Sequence, residues 1–217
     1  RKRPGDLLLS WKMFLDSIEE KNGRKEATLI MHTDPYDQEG PNLAEVVKEL
    51  EISNNVIFSD KRLGFKEMNL LHNMSDCCIS LSYAEGFGLS TLEAMQCGNP
   101  IIAPKTGGLT RQVVDHRDGS ENGVAMDIEF RSLVGSQSVP YIYEDYVSCE
   151  TTAAAIKKIF DLSEEDRKTL SSKVQSYVME EFNYDDAIDK WHDTLVKTIE
   201  DWKEGKSTTN RFELLEI

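Results

Sequence analysis

The sequence predicts an α/β fold: a doubly wound parallel sheet followed by carboxyl-terminal helices. Short apolar runs alternate with amphipathic helical segments through residue 128, and beyond residue 150 only helical periodicity remains. Strands that are short and apolar throughout, each followed by a helix, are typical of a parallel sheet covered on both faces. A chain of 217 residues with 39% hydrophobic residues can bury one large core of this kind.

The elements follow in order along the chain. Apolar residues three and four apart predict helices at 6–20, 42–51, 65–74 and 90–97. Apolar runs predict strands at 27–32, 55–59, 77–82, 100–104 and 123–128. Residues 129–150 predict an irregular excursion, and helices follow at 151–161, 163–182 and 184–203. We therefore expect a Rossmann-like domain over 1–182, a final helix over 183–204 and a polar tail over 205–217.

Charge and composition narrow the class of protein. The net charge of -14 and the pI near 4.8 argue against binding to nucleic acid or to an anionic membrane, because both require a cationic surface. Four cysteines without metal-ligand spacing indicate reduced thiols in a cytoplasmic protein. The sequence offers neither a transmembrane segment nor a signal peptide. The chain begins with Arg1 rather than Met, which is consistent with a fragment of a longer protein but does not establish one.

The stretch "SYAEGFGLSTLEAM" at 82–95 predicts a ligand site at the sheet edge. Ligands of doubly wound sheets bind at the carboxyl ends of strands, and a predicted strand ends just before Glu85. Gly86 and Gly88 permit close backbone approach, and Ser90 is predicted to be the N-cap of the next helix. Backbone amides exposed there favour a phosphate. The amides expected to converge belong to Phe87, Gly88, Leu89 and Ser90.

Two acids flank this loop, and each has two interpretations. Glu85 either accepts hydrogen bonds from ligand hydroxyls or is a solvated loop acid. Glu93, expected in the first helical turn, either binds a ligand or closes the capping box "STLE" on the Ser90 amide. The glycines also have a second interpretation, as a plain turn. A polyhydroxylated ligand that carries a phosphate would use both acids and the loop.

The segment "EGFGLSTLEAMQCGNPIIAPKTGG" resembles the donor-site signature of the retaining glycosyltransferases of family 4, which have the GT-B fold. The two acids match that family's E-x7-E pair. The order of "LIMHTDP", "NVIFSD", "TGGLTRQVVD" and "FNYDDAIDKWHDTL" agrees with it as well. The resemblance implies the carboxyl-terminal, nucleotide-sugar half of an enzyme with two Rossmann-like halves. The amino-terminal half is then missing, and the helix 183–204 would cross back to it.

The resemblance also assigns roles to residues. Glu85 would hold hydroxyls of the donor sugar, Glu93 would bind the ribose, and Lys2 would neutralise the pyrophosphate. Residues 59–62 would lie beside the nucleobase. The expected catalytic residues are Glu85 and Lys2. The expected donor-binding residues are Gly86, Phe87, Gly88, Leu89, Ser90, Glu93, Gly107 and Gly108. The family's usual second phosphate cation, an arginine, would fall before Arg1, and Arg111 stands where the family often has an acid.

The function implied is a metal-independent hexosyltransferase that keeps the anomeric configuration. It would move a sugar from a UDP-, GDP- or ADP-linked donor to an acceptor, with no cofactor and no protein nucleophile. The isolated chain is expected to be inactive without the other half. Two alternatives stay open: a nucleotide-sugar-binding module without catalysis, and a nucleotide-sugar epimerase of the GT-B type. A dinucleotide dehydrogenase is disfavoured, because no GxGxxG fingerprint follows the first strand.

Overall fold

A computed structural model describes residues 1–205 as an alternation of strands and helices. The strands are β1 (Leu29–Met31), β2 (Val56–Phe58), β3 (Cys78–Ile79), β4 (Ile101–Pro104), β5 (Gly123–Met126), β6 (Phe130–Val134) and β7 (Ile142–Tyr146). The helices are α1 (Pro4–Asn22), α2 (Leu43–Glu49), α3 (Phe65–Asn73), α4 (Leu89–Gln96), α5 (Leu109–Val113), α6 (Cys149–Phe160), α7 (Glu164–Glu181) and α8 (Tyr184–Lys203). Every predicted strand and helix is present, which confirms the α/β class, and α5 is an additional short helix.

The first five strands pair in parallel, as the apolar runs predict. β1 pairs with β2, and β3, β4 and β5 form a three-stranded group with β4 in the middle. All four residues of β4 are buried. A strand covered on both faces needs apolar side chains in both directions, which explains why "IIAP" shows no alternation. The central position of β4 places the loop that follows it beside the loop that follows β3.

The core lies between the strands and the helices that cover them. α1 buries Leu8, Trp11, Phe14, Leu15 and Ile18, which recur at helical spacing and so share one face. α1 and α6 pack against each other. Burial of one such side chain stabilises the fold by about 1.5–3 kcal/mol. Packing of this buried face therefore fixes α1 along its length. The amino end of α1, which lies next to the loops described below, is fixed with it.

Residues 129–150 are not irregular, and that prediction is wrong. They form an antiparallel hairpin in which Phe130 pairs with Tyr146 and Val134 with Ile142, followed by the start of α6. Pro140 lies in the connection, outside both strands, so it removes no ladder hydrogen bond. The backbone groups of this excursion thus bond to each other, and the hairpin is an ordered addition to the parallel arrangement.

The chain divides into two compact units, the first comprising Arg1–Val178 and the second beginning at Met179. The described part of the second unit is dominated by α8, whose N-cap Asn183 accepts hydrogen bonds from the amides of Asp185 and Asp186. Among the described helices, none is both long enough and apolar enough to cross a bilayer. The predicted polar tail lies, from residue 206 onward, outside the described residues.

Candidate functional site at the ends of β3 and β4

The amino end of the chain lies against the loop that follows β3. The Tyr83 amide donates to the Arg1 carbonyl at 3.1 Å, which places the next side chain, Lys2, over this loop. The Lys2 ammonium forms an ion pair with the Glu85 carboxylate, to which the Ser82 hydroxyl also donates at 3.3 Å. The fold therefore brings together the two residues expected to be catalytic, although 83 positions separate them.

The environment of Glu85 keeps it ionised. Its side chain is 11% exposed, whereas that of Lys2 is 54% exposed. The hydrogen bond from Lys2 lowers the pKa of Glu85 below its ordinary value; burial opposes this, and the charge of Arg1 and the Ser82 hydroxyl add to it. At neutral pH the site thus offers a carboxylate that accepts hydrogen bonds and an adjoining cation that reaches solvent.

Arg3 fixes the geometry of this amino-terminal segment. Its backbone is left-handed, with a φ of 54°, which turns the chain between Lys2 and α1. Its guanidinium carbon lies 5.0 Å from the ring centre of Tyr83 and 5.5 Å from that of Tyr146. The same guanidinium donates to the Val147 carbonyl at 3.0 Å and to the Asp6 carboxylate at 2.6 Å. These contacts fix the backbone next to Lys2 and so keep the Lys2 side chain close to the loop.

Two glycines after β4 let the two loops pack backbone against backbone. The Gly108 amide donates to the Glu85 carbonyl at 2.9 Å. A Cβ on Gly108 would lie 2.5 Å from the Gly86 carbonyl oxygen and 2.6 Å from Cα of Phe87, and a Cβ on Gly107 would overlap the Glu85 carbonyl group. Only glycine fits such an approach. The predicted residues Gly107 and Gly108 therefore shape the loop from behind.

The start of α4 differs from the sequence prediction. Gly88 adopts a φ of 90° and is the N-cap, so the helix begins at Leu89 and Ser90 lies inside it. The Ser90 N-cap prediction is wrong, because the left-handed glycine ends the loop two residues earlier. Glu93 then lies in the second turn rather than the first, and it forms no capping box with Ser90. The interpretation of Glu93 as the closing residue of a capping box is therefore wrong.

A buried glutamine, which the sequence did not single out, fastens the loop. Gln112 is fully buried on α5. Its side-chain amide donates to the carbonyls of Phe87 at 2.7 Å and Gly88 at 3.2 Å, and its oxygen lies 2.6 Å from the Thr91 hydroxyl. With both loop carbonyls turned toward Gln112, the carbonyl face of the loop points inward, away from a ligand. The sequence does not distinguish Gln112 from Thr110 and Arg111, the other polar residues between Leu109 and Val113.

Glu93 lies among different neighbours from Glu85. Its side chain is half exposed and faces α3, where its Oε2 is 4.0 Å from Nε2 of His72. Both residues line a pocket of about 290 Å³. Leu63 lines this pocket, and the segment 59–62, which is expected beside the nucleobase, lies immediately before Leu63 in the sequence. The loop thus separates a carboxylate paired with lysine from a carboxylate facing histidine.

The hairpin is tied to the same two loops through Asp145. This carboxylate is buried, receives two hydrogen bonds from Arg131 at 2.5 and 3.1 Å, and accepts another from the Thr106 hydroxyl at 2.7 Å. Its amide donates to the Tyr83 carbonyl at 2.9 Å. The hydrogen bonds from Arg131 lower the pKa of Asp145, with Thr106 adding and burial opposing. The hairpin is therefore anchored between the loops that carry the predicted site.

Comparison with known proteins places this arrangement in context. The sequence pattern of the family described as glycosyl transferases group 1 matches residues 37–129. N-acetyl-alpha-D-glucosaminyl L-malate synthase from Bacillus anthracis is 31% identical over 139 residues. That alignment covers 58% of this chain and 35% of the relative, so the chain spans about a third of the relative's length. The family match includes both acids of the loop but not Lys2.

Solved structures share the fold. Sucrose-phosphate synthase from Thermosynechococcus elongatus superposes with a TM-score of 0.61 at 22% identity, covering 91% of this chain and 42% of that protein. Anabaena Alr3699/HepE, solved in complex with UDP-glucose, superposes with a TM-score of 0.56 at 17% identity, covering 85% and 53%. Identity this low supports a common fold, and the ligand belongs to the Anabaena protein.

Proposed function

We propose that the chain, whose residues 37–129 match the sequence pattern of the glycosyl transferases group 1, binds a nucleoside-diphosphate sugar and serves as the donor half of a retaining glycosyltransferase. The observation that carries the proposal is the Lys2–Glu85 pair on a loop held by Gly107, Gly108 and Gln112. A carboxylate acceptor, an adjoining cation and a fixed backbone loop together match a polyhydroxylated ligand that carries a diphosphate. The UDP-glucose bound by the Anabaena neighbour supports this ligand class.

In the proposed reaction the bond between the anomeric carbon and the diphosphate breaks. Negative charge grows on the leaving diphosphate, and Lys2 and the amides at the start of α4 stabilise it. Glu85 accepts hydrogen bonds from the sugar hydroxyls and so orients the anomeric carbon toward the acceptor. We assign no nucleophile to the protein. The departing diphosphate takes the acceptor proton and guides attack to its own face of the sugar, which retains the configuration.

The nucleoside end is assigned to the pocket between α3 and α4. Glu93 would accept hydrogen bonds from the ribose hydroxyls, since its half-exposed carboxylate lies at the edge of this pocket. The apolar side chains of Leu63, Phe65 and Met68 would cover the base. The two acids then bind opposite ends of one ligand, with the diphosphate across the loop between them.

Binding of nucleotides tests the proposal. UDP, GDP and ADP, with and without a linked hexose, are titrated by calorimetry and by thermal shift. A ligand at about 100 times its dissociation constant adds roughly 2.7 kcal/mol to the free energy of unfolding. We expect at least one of them to stabilise the chain. If none shifts the melting temperature even at tens of millimolar, the donor-site assignment is wrong.

Two matched variants separate the roles of the acids. Glu93→Gln should weaken binding of the nucleotide without a sugar, since a charge-assisted hydrogen bond contributes about 1.5–3 kcal/mol. Glu85→Gln should leave the affinity for the nucleotide without a sugar unchanged and should weaken binding only of the sugar-linked nucleotide. Equal losses for both variants on both ligands would mean that the carboxylates only maintain the loop.

A further test concerns turnover. We expect the chain alone to bind donor without transferring sugar, because alignment of two reactants supplies about 7–11 kcal/mol of the barrier and requires a cleft for the acceptor. The comparison is with a protein extended at the amino end by a second Rossmann-like half, and the readout is release of the nucleoside diphosphate. Turnover by the chain at the rate of the extended protein would contradict the half-enzyme assignment. No release by either protein would favour a binding module without catalysis.

A further inference from the structure

His72 presents a buried nitrogen without a partner to the pocket between α3 and α4. Within the described residues, its Nε2 is buried and forms no hydrogen bond. The backbone at this position is held in place, because Asn99 donates its side-chain amide to the His72 carbonyl at 2.6 Å. Buried polar atoms are nearly always paired, so an unpaired one indicates either a functional position or a partner that arrives later.

The Glu93 carboxylate is a charged group close to Nε2. Oε2 of Glu93 lies 4.0 Å away, about 1 Å beyond hydrogen-bond distance. The side chain of Asn69, which also lines the pocket, bonds elsewhere: its amide donates to Sγ of Cys97 at 3.5 Å, and its oxygen accepts from the side-chain amide of Asn73 at 3.2 Å. A rotation of the half-exposed Glu93 side chain toward α3 would bring its carboxylate within reach of the imidazole.

At neutral pH this contact joins a neutral imidazole and a carboxylate. Burial lowers the pKa of His72 below its ordinary value; the Glu93 charge opposes this effect, and His32 adds to it. A neutral imidazole carries one N–H group, and the acceptor at Glu93 favours the tautomer with the proton on Nε2. The imidazole can therefore donate one directed hydrogen bond, rather than form a salt bridge that holds both carboxylate oxygens.

We propose that His72 is a positioning residue that orients the Glu93 carboxylate for the ribose of the nucleotide donor. Its Nε2–H donates to one carboxylate oxygen and leaves the other to accept from the ribose hydroxyls. The inference rests on the proposed nucleotide site and adds a residue to it. Binding of the nucleotide orders Glu93, and the same movement provides the missing partner of the buried nitrogen.

The test compares ribose-bearing and ribose-lacking ligands. The tightest binder among UDP, GDP and ADP is titrated alongside its 2′,3′-dideoxy analogue. His72→Phe keeps a planar ring and removes the donor, and His72→Gln places an amide N–H at a similar reach. We expect His72→Phe to weaken the ribonucleotide about three- to tenfold, as expected for one hydrogen bond. His72→Phe should leave the affinity for the dideoxy analogue unchanged. His72→Gln should bind both ligands with the affinity of the unmodified protein.

The contrary outcomes are distinct. An equal loss on both ligands for His72→Phe would assign this residue a purely structural role, and no loss on either would remove it from the site. In both cases the positioning inference is overturned while the nucleotide site stands, provided that Glu93→Gln still weakens the ribonucleotide. If Glu93→Gln binds unchanged, the proposed nucleoside site itself is wrong.

A measurement on the unmodified protein complements the variants and applies even if His72→Phe does not fold. Nitrogen-15 NMR of the imidazoles reports the tautomer and the hydrogen bonding of each ring nitrogen. On addition of the ribonucleotide, the Nε2–H proton of His72 should move downfield and exchange more slowly with solvent. An unchanged His72 signal at saturating ligand would overturn the proposal.

Discussion

Replacement of Gly107 by alanine should separate the cost of a crowded backbone from that of an unusual backbone angle. Gly107 has a φ of 47° and faces the Glu85 carbonyl group, which a Cβ would overlap. Gly119 has a φ of 78° and nothing within 4 Å of an added Cβ. Gly119→Ala is therefore a matched control: both variants force alanine into the left-handed region, and only Gly107→Ala also crowds the loop that follows β3.

The magnitudes follow from these two terms. The left-handed conformation costs alanine about 1–2 kcal/mol. Crowding of a packed site costs about 1–3 kcal/mol more. We expect Gly119→Ala to lower the free energy of unfolding only by the conformational cost of about 1–2 kcal/mol. Gly107→Ala should lower it by the sum of the conformational and crowding costs, about 2–5 kcal/mol. Because the crowding falls on the peptide of Glu85, the second variant should also weaken binding of a sugar-linked nucleotide.

Thermal unfolding of the two variants measures the difference. At this chain length each 1 kcal/mol shifts the melting temperature by about 2–4 °C. The Gly107→Ala protein should therefore melt at least about 2 °C below the Gly119→Ala protein. Equal melting temperatures would refute the reasoning, since the loop would then yield to a side chain without cost.

Three further predictions concern other parts of the same unit. Gln112→Leu should cost about 1–3 kcal/mol in urea unfolding, because two loop carbonyls lose their donor; unchanged stability would mean that water replaces the amide. Asp145 has a folded-state pKa below its unfolded value, so its charge stabilises the fold above about pH 4 and that contribution is lost as the pH falls through the folded pKa. The stability of Asp145→Asn should fall less than that of the unmodified protein between pH 7 and pH 3, and equal slopes would contradict this. Burial raises the pKa of Cys77 to about 12 and of Cys78 to about 11, so iodoacetamide at pH 8 should alkylate neither of these two thiols before unfolding; peptide mapping that finds either one, rather than Cys97 or Cys149, alkylated in the native protein would contradict the raised pKa values.

The sequence predicted the elements whose signal is local. Apolar runs such as "PIIAP" become strands because burial on both faces selects for them, and the periodic Leu8, Trp11 and Phe14 form the buried face of α1. The hairpin was missed because its connection, with Gly135 and Pro140, outweighed a weak alternation of exposed and half-buried residues.

The site depended on contacts that no local pattern encodes. The pairing of Lys2 with Glu85 follows from a backbone hydrogen bond between Arg1 and Tyr83, which only the folded chain brings together. The role of Gln112 depends on α5 lying behind the loop that follows β3. The start of α4 was misplaced because "STLE" has the composition of a capping box, whereas the left-handed Gly88 determines the boundary.

The interlocked backbones of residues 85–88 and 107–108 have a consequence for recombination among homologous proteins. The shape of the first segment is imposed from more than twenty positions downstream, through two glycines and one glutamine. A graft that transplants residues 82–95 alone would place a foreign loop on a surface that did not evolve with it. Residues 82–95 and 104–112 should therefore be inherited, or exchanged in the laboratory, as one cassette.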